Sequence, residues 1–151
     1  MRRFEIVKNE FLKYDESDIT LPKRATRTSV GYDFYSPIDA VIKPKDSLLL
    51  WTNIKATFED NVGLILAVTS GMGKHNITLA NSIGVIESDY YSNISNDGNL
   101  GFRLHNFGKE EYVIKKGDKI GQGFFFNFLT VDNEEVPTAV RTGGFGSTNK
   151  N

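Results

Sequence analysis

The sequence contains no cysteine, which excludes disulfides, thiolate zinc sites and a cysteine nucleophile. It has no apolar run approaching the roughly 18 residues of a membrane span. Its amino end, Met1-Arg2-Arg3-Phe4-Glu5, lacks the apolar segment of a secretory signal. These absences predict a soluble, cytoplasmic protein. Surplus charge is missing as well: 18 Lys and Arg stand against 19 Asp and Glu, a formal net charge of -1. A near-neutral chain exerts no general pull on nucleic acid or on a membrane surface, so neither is an expected partner. Any polyanionic ligand would need a local cluster of cations or a metal ion. Helical periodicity is also scarce, because no window of a dozen residues carries apolar side chains at i, i+3, i+4 and i+7.

Strand signals fill the space. The 151 residues suffice for one domain with its own core. Leu48-Leu49-Leu50-Trp51 and Val62 to Val68 are short apolar runs of strand length, bounded by polar or Gly breakers. Phe102 and Leu104 alternate with Arg103 and His105, the period of a half-buried strand. Tyr112-Val113-Ile114 and Gly123 to Leu129 add two more. Turn chemistry separates them at Lys43-Pro44-Lys45-Asp46, Asn96-Asp97-Gly98-Asn99 and Lys116-Gly117-Asp118-Lys119. Many short strands with regular turns predict an all-β sandwich or barrel, with at most a short helix around Gly71–His75.

The tail differs from the body. Asp132 to Pro137 is a polar linker, and Arg141-Thr142-Gly143-Gly144-Phe145-Gly146-Ser147-Thr148 is too Gly-rich for a packed strand. Taken by themselves, these residues fit either a frayed terminus or an anion-gripping flap. In a flap, the glycines would let backbone N–H groups converge on phosphate while one Arg supplies charge.

Five segments in order resemble the five motifs of trimeric dUTP diphosphatases. They are Ser29 to Phe34, Thr69 to Gly73, Asn81 to Tyr90, Gly117 to Gln122, and Arg141 to Thr148. Each is weak alone; their order along nearly the whole chain makes the signal strong. The resemblance implies a β-pleated, jelly-roll-like domain over residues 1–137 and a flexible flap over 138–151. The family's assembly is a homotrimer in which the flap closes a neighbouring active site. About ten extended residues at roughly 3.3 Å each reach some 30 Å, enough for that crossing. The activity implied is hydrolysis of dUTP to dUMP and pyrophosphate with Mg²⁺. The Tyr91–Asn99 stretch is longer than the matching loop of many relatives, and nothing in the sequence assigns it a role.

The same resemblance distributes roles. Glu87 would be the general base that takes a proton from the attacking water, with Gln122 in the α-phosphate and water network. Asn81 and the backbone of Gly84, Val85 and Ile86 would read uracil. Tyr90 would lie against the deoxyribose and leave no room for a 2′-hydroxyl. Thr69, Ser70 and Gly71 would meet the phosphates, Arg141 the terminal phosphate, and Phe145 the uracil face. Gly146, Ser147 and Thr148 would complete the flap contacts. Asp33 would hold a water of the Mg²⁺ on the triphosphate. His75 and His105 match no motif residue.

Two positions depart from the family pattern. Glu87 stands where Asp is usual, which lengthens the side chain by one methylene. Thr69 stands where the second motif carries Arg, and Lys74, Arg24 or Arg27 are the cations that could replace that charge. These departures suggest an alternative, a catalytically weakened dUTP-binding regulator acting through an unknown protein partner. A dCTP deaminase shares the fold but fits the tail and the Asn81–Tyr90 segment less well.

Overall fold

The computed structural model describes residues 1–146. Its strands are β1 (Arg3–Ile6), β2 (Tyr32–Tyr35), β3 (Ala40–Ile42), β4 (Ser47–Trp51), β5 (Ile54–Thr57), β6 (Val62–Ala67), β7 (Ile77–Leu79), β8 (Gly84–Ile86), β9 (Gly101–Asn106), β10 (Tyr112–Ile114) and β11 (Lys119–Asn127). One short α-helix among the described residues, α1 (Ser70–Lys74), lies between β6 and β7, close to where the sequence predicts it. No helix among the described residues is long and apolar enough to cross a membrane. All strand pairs are antiparallel. A four-stranded sheet runs β2-β11-β6-β8 and a three-stranded sheet β4-β9-β7, with β1-β5 and β3-β10 as two-stranded ribbons.

The two larger sheets close over one core. Phe34 of β2 and Phe102 of β9 come from different sheets, yet their rings meet at 5.3 Å. Leu50, Leu64, Leu66, Leu104, Ile114 and Ile120 fill the layer around them, all almost fully buried. Each such side chain contributes about 1.5–3 kcal/mol over leaving it in water. Alternation decides which residues enter: along β9, Phe102, Leu104 and Asn106 are buried while Arg103 is exposed.

The expected strands are present, with one boundary corrected. The strand expected at Gly123–Leu129 runs from Lys119 to Asn127. It bridges two partners, pairing with β2 through Lys119–Gly123 and with β6 through Gln122–Asn127. Lys119, expected in a turn, is therefore already in the ladder, opposite Tyr35. Leu129 runs past the end of β6 and is 96% exposed.

Candidate active site

The hairpin that joins β7 to β8 splits between two sheets. β7 pairs with β9, and β8 pairs with β6. Ser82 makes the turn possible by adopting φ 68° and donating its N–H to Leu79 O at 3.0 Å. Because the two strands diverge, each leaves one edge without a strand partner among the described residues. Backbone N–H and C=O groups on such an edge demand partners, whether water, another strand or a ligand. A cavity of about 270 Å³ opens there, and Asn81, Gly84, Val85, Ile86, Glu87 and Tyr90 all line it. Six residues expected from the sequence thus converge on one space.

The tail forms the lid of this cavity. Arg141 Nη2 donates to Glu87 Oε2 at 3.0 Å, and Arg141 Nε donates to Asp89 Oδ1 at 3.0 Å. Gly144 passes so close over Tyr90 that a Cβ would lie 2.5 Å from Tyr90 Cε2, which explains glycine at that position. Phe145 turns its ring edge to Trp51 at 5.4 Å and stays half-exposed. Phe145 and Gly146 complete the cavity wall. Ser147 and Thr148 lie outside the described residues. In this single chain the tail covers its own hairpin.

A second group gathers at the other side of the same sheet. Gln122 of β11 sits opposite Asp33 of β2 and Ala67 of β6, and its Nε2 donates to Val68 O at 3.3 Å. Thr69 caps α1, its hydroxyl accepting from Met72 N at 3.4 Å, a long bond at the weak end of capping. Ser70 and Gly71 begin the helix and are exposed. None of Asp33, Thr69, Ser70, Gly71 or Gln122 lines the cavity under the tail. Within one chain the expected residues therefore form two separate groups.

Among the described residues, no cluster of three or more His, Asp or Glu side chains could cage a metal. Asp33 is buried, and its Oδ2 lies 2.8 Å from Lys119 Nζ without an aligned hydrogen bond. A single carboxylate already paired with Lys119 fits only an ion carried mainly by phosphate oxygens and water, the usual habit of Mg²⁺.

Two residues with a part in this site escaped the sequence reading, Arg103 in the cavity wall and Asp89 beside it. Arg103 lines the cavity beside Asn81 and Phe145, and among the described residues its guanidinium has no salt bridge. Its outward position in β9 was legible; its neighbourhood to Asn81 was not, because Ala80 N reaches Arg103 O only across the β7–β9 ladder. Asp89 joins Glu87 in holding Arg141. Of the cations suggested as substitutes for a missing arginine, Arg24 closes its own loop by donating to Arg27 O and Ser29 O. Lys74 lines a separate groove with Phe107 and Tyr112.

The fold and site define an all-β sandwich with an open-edged hairpin, a carboxylate at its end and an Arg/Gly-rich lid over a cavity. Comparison with known proteins narrows this. The family model described as dUTPase matches residues 17–149, and the chain belongs to that family. It is 39% identical to the deoxyuridine 5′-triphosphate nucleotidohydrolase of Lactococcus lactis over 98% of this chain and 97% of that protein. It is 39% identical to the rat nucleotidohydrolase of the same name over 87% of this chain, which spans 63% of the rat protein. The crystal structure of dUTPase from Streptococcus mutans superposes with a TM-score of 0.74 at 31% identity, over 86% of this chain and 98% of that one.

Proposed function

We propose that the protein hydrolyses dUTP to dUMP and pyrophosphate. The observation that carries this reading is the convergence of the free hairpin edge, Asn81, Glu87 and Tyr90 in one lidded cavity. A uracil edge alternates acceptor, donor and acceptor, and a strand edge offers the complement. Cytosine would leave buried partners unmatched, the kind of mismatch that a hydrogen-bonding site rejects strongly. Tyr90 would lie against the deoxyribose, leaving no room for a 2′-hydroxyl, and Phe145 would cover the base.

Glu87 accepts a proton from water as that water attacks the α-phosphorus; the bond from the α-phosphorus to the bridging oxygen breaks, and pyrophosphate leaves. Arg141 holds Glu87 in the free protein. Both carboxylates of this contact are about half exposed, so it is worth about 0–1 kcal/mol and exchanges readily for a phosphate. Arg141 then pairs with the terminal phosphate and leaves Glu87 free for water. Mg²⁺ on the triphosphate, held through water by Asp33, would neutralise charge on the phosphate chain.

The separation of Asp33, Ser70 and Gln122 from the cavity supports assembly from several copies. In a homotrimer of about 51 kDa (three times 16.9 kDa), one subunit supplies the hairpin, a second the Asp33–Gln122 group, and a tail closes over both. Residues 138–151 act as that flap, closing a neighbouring site. The cytoplasm is the expected location. The position of Glu87 inside the cavity favours an enzyme over a weakened regulator.

The test is release of pyrophosphate from dUTP, UTP, dCTP and dTTP with and without Mg²⁺. We expect UTP and dCTP to be at least about 100-fold poorer in kcat/KM. Equal turnover of dUTP and dCTP refutes the assignment.

A further inference from the structure

The loop Tyr91–Asn99 is built around Tyr90. The Tyr90 hydroxyl donates to Asn99 O at 2.7 Å and accepts from Asn96 Nδ2 at 2.7 Å. The Tyr90 carbonyl accepts from Asn93 Nδ2 at 2.8 Å. Both ends of this residue are thus held by the nine residues that follow it.

The loop is itself rigid. Asn93 Oδ1 accepts from the backbone of Ser95 at 3.0 Å and of Asn96 at 3.2 Å, and Asn93 Nδ2 also donates to Asn96 Oδ1 at 2.8 Å. Asp97 and Gly98 take φ values of 58° and 84°. A Cβ on Gly98 would lie 2.9 Å from Tyr90 O, so the turn wraps the Tyr90 backbone as closely as a glycine permits. Asp97 is 1% exposed and accepts from Lys55 Nζ at 2.8 Å and from Lys8 N at 2.8 Å. Asn99 Oδ1 accepts from the Asn53 backbone N–H at 2.9 Å, and Asn99 Nδ2 donates to Asn53 Oδ1 at 3.2 Å. Two independent anchors therefore fix the loop to β5 and to the segment after β1.

A buried turn this polar is an expensive way to connect two strands. A surface loop needs no internal carboxylate, and these groups had to be desolvated and, Asp97 Oδ1 apart, matched with hydrogen bonds. What the arrangement secures is the position of one ring that walls the cavity.

We propose that Asn96 and Asn99, backed by the Asp97–Lys55 pair, are positioning residues that fix the Tyr90 ring and thereby set discrimination against a 2′-hydroxyl. The proposal rests on the reading of the cavity as a dUTP site. A ring held at its hydroxyl end cannot tilt away from the sugar. Loss of that hold lets the ring move by about 1 Å, a displacement that changes rates by large factors when it occurs at a site.

The experiment compares Asn96→Ala with the parent, measuring kcat/KM for dUTP and for UTP together with the melting temperature. The expected result is a fall of about tenfold in the dUTP/UTP ratio, from faster UTP hydrolysis, while kcat on dUTP stays within about threefold. Asn96→Ser, which keeps a donor, should recover part of the ratio. Tyr90→Phe serves as the second variant, since it keeps the ring and removes only the anchored hydroxyl. It should lower the ratio by a similar factor, and it decides the question if Asn96→Ala does not fold. An unchanged ratio in folded variants overturns the positioning role. A parent protein that leaves dUTP intact overturns the dUTP reading instead, so the two failures are distinguishable.

Discussion

Gly144→Ala tests the tail as a closing element. The added Cβ would lie 2.5 Å from Tyr90 Cε2 and 3.2 Å from both Cζ and Oη. Carbon atoms rest at about 3.5–4.0 Å, so the two groups must separate by about 1 Å. Gly144 does not have a positive φ, so alanine meets no backbone penalty and the whole effect is steric. Tyr90 cannot yield, being 5% exposed and fixed by two 2.7 Å hydrogen bonds. The tail yields instead and carries Phe145 away from the base. A shift of this size at a closing lid costs between about tenfold and about 100-fold in kcat/KM. No described tail residue belongs to the buried core, so the melting temperature should stay within roughly 1–2 °C. Steady-state pyrophosphate release from dUTP, paired with a thermal scan, measures both quantities. Parent kcat/KM with a parent melting temperature would mean that the tail does not close over Tyr90 in the working enzyme, in its own subunit or in a neighbour.

Glu87→Gln keeps size but removes the proton acceptor; kcat should fall by roughly 10²–10⁴ while nucleotide binding persists, and a kcat within a few-fold of the parent assigns the base elsewhere. Thr69→Arg gives up only a 3.4 Å cap and should raise kcat/KM roughly tenfold to a hundredfold through a new phosphate contact. No change there would show that position 69 does not face the phosphates. Arg103→Ala should lower kcat/KM for dUTP by about tenfold or more if its guanidinium donates to bound nucleotide, with little change in stability; an unaltered KM and kcat would make it a bystander. Asp97→Asn leaves Lys55 buried without its counter-charge and should destabilise by about 3–5 kcal/mol, on the order of 10 °C in melting temperature. Burial works to raise the Asp97 pKa, but the hydrogen bonds from Lys55 and from the Lys8 backbone hold it below its ordinary 3.8. A depressed folded-state pKa stabilises above the unfolded value and is lost as pH falls through the folded one. The gap between parent and variant, followed by thermal scans across pH, should therefore be full at neutral pH and narrow below about pH 4; a gap independent of pH would place the stabilisation outside the charge pair.

The strands that the sequence made legible are those whose own residues carry the pattern. β9 alternates buried and exposed side chains, and β4 and β6 are apolar runs. β5 was hidden for a physical reason. Its Lys55 is buried in the ion pair with Asp97, so a charge interrupts what would otherwise look like a core strand. β7 and β8, three residues each, are too short to show a period and exist because β9 and β6 supply their ladders. β11 shows the opposite limit: a Lys-Ile-Gly-Gln start looks like a turn but is ordered by pairing with β2.

The site was legible as a list and not as a shape. Motif order named Asn81, Glu87, Tyr90 and Arg141, and those four do line one cavity. Motif order could not reveal that Asp33 and Gln122 face each other across a different part of the sheet, because register is a property of paired strands. Nor could it reveal why Arg141 has company before any nucleotide arrives. Glu87 immediately precedes the single helical turn Ser88–Tyr90 and Asp89 lies within it, so the two carboxylates would repel each other if left alone. One guanidinium, with its fork of donors, satisfies both at 3.0 Å. A triphosphate presents the same guanidinium with more charge than the two carboxylates together. On the proposed reading, substrate would draw the lid's cation off Glu87 by a difference in attraction alone, and the step that binds the phosphate would also free the carboxylate for water.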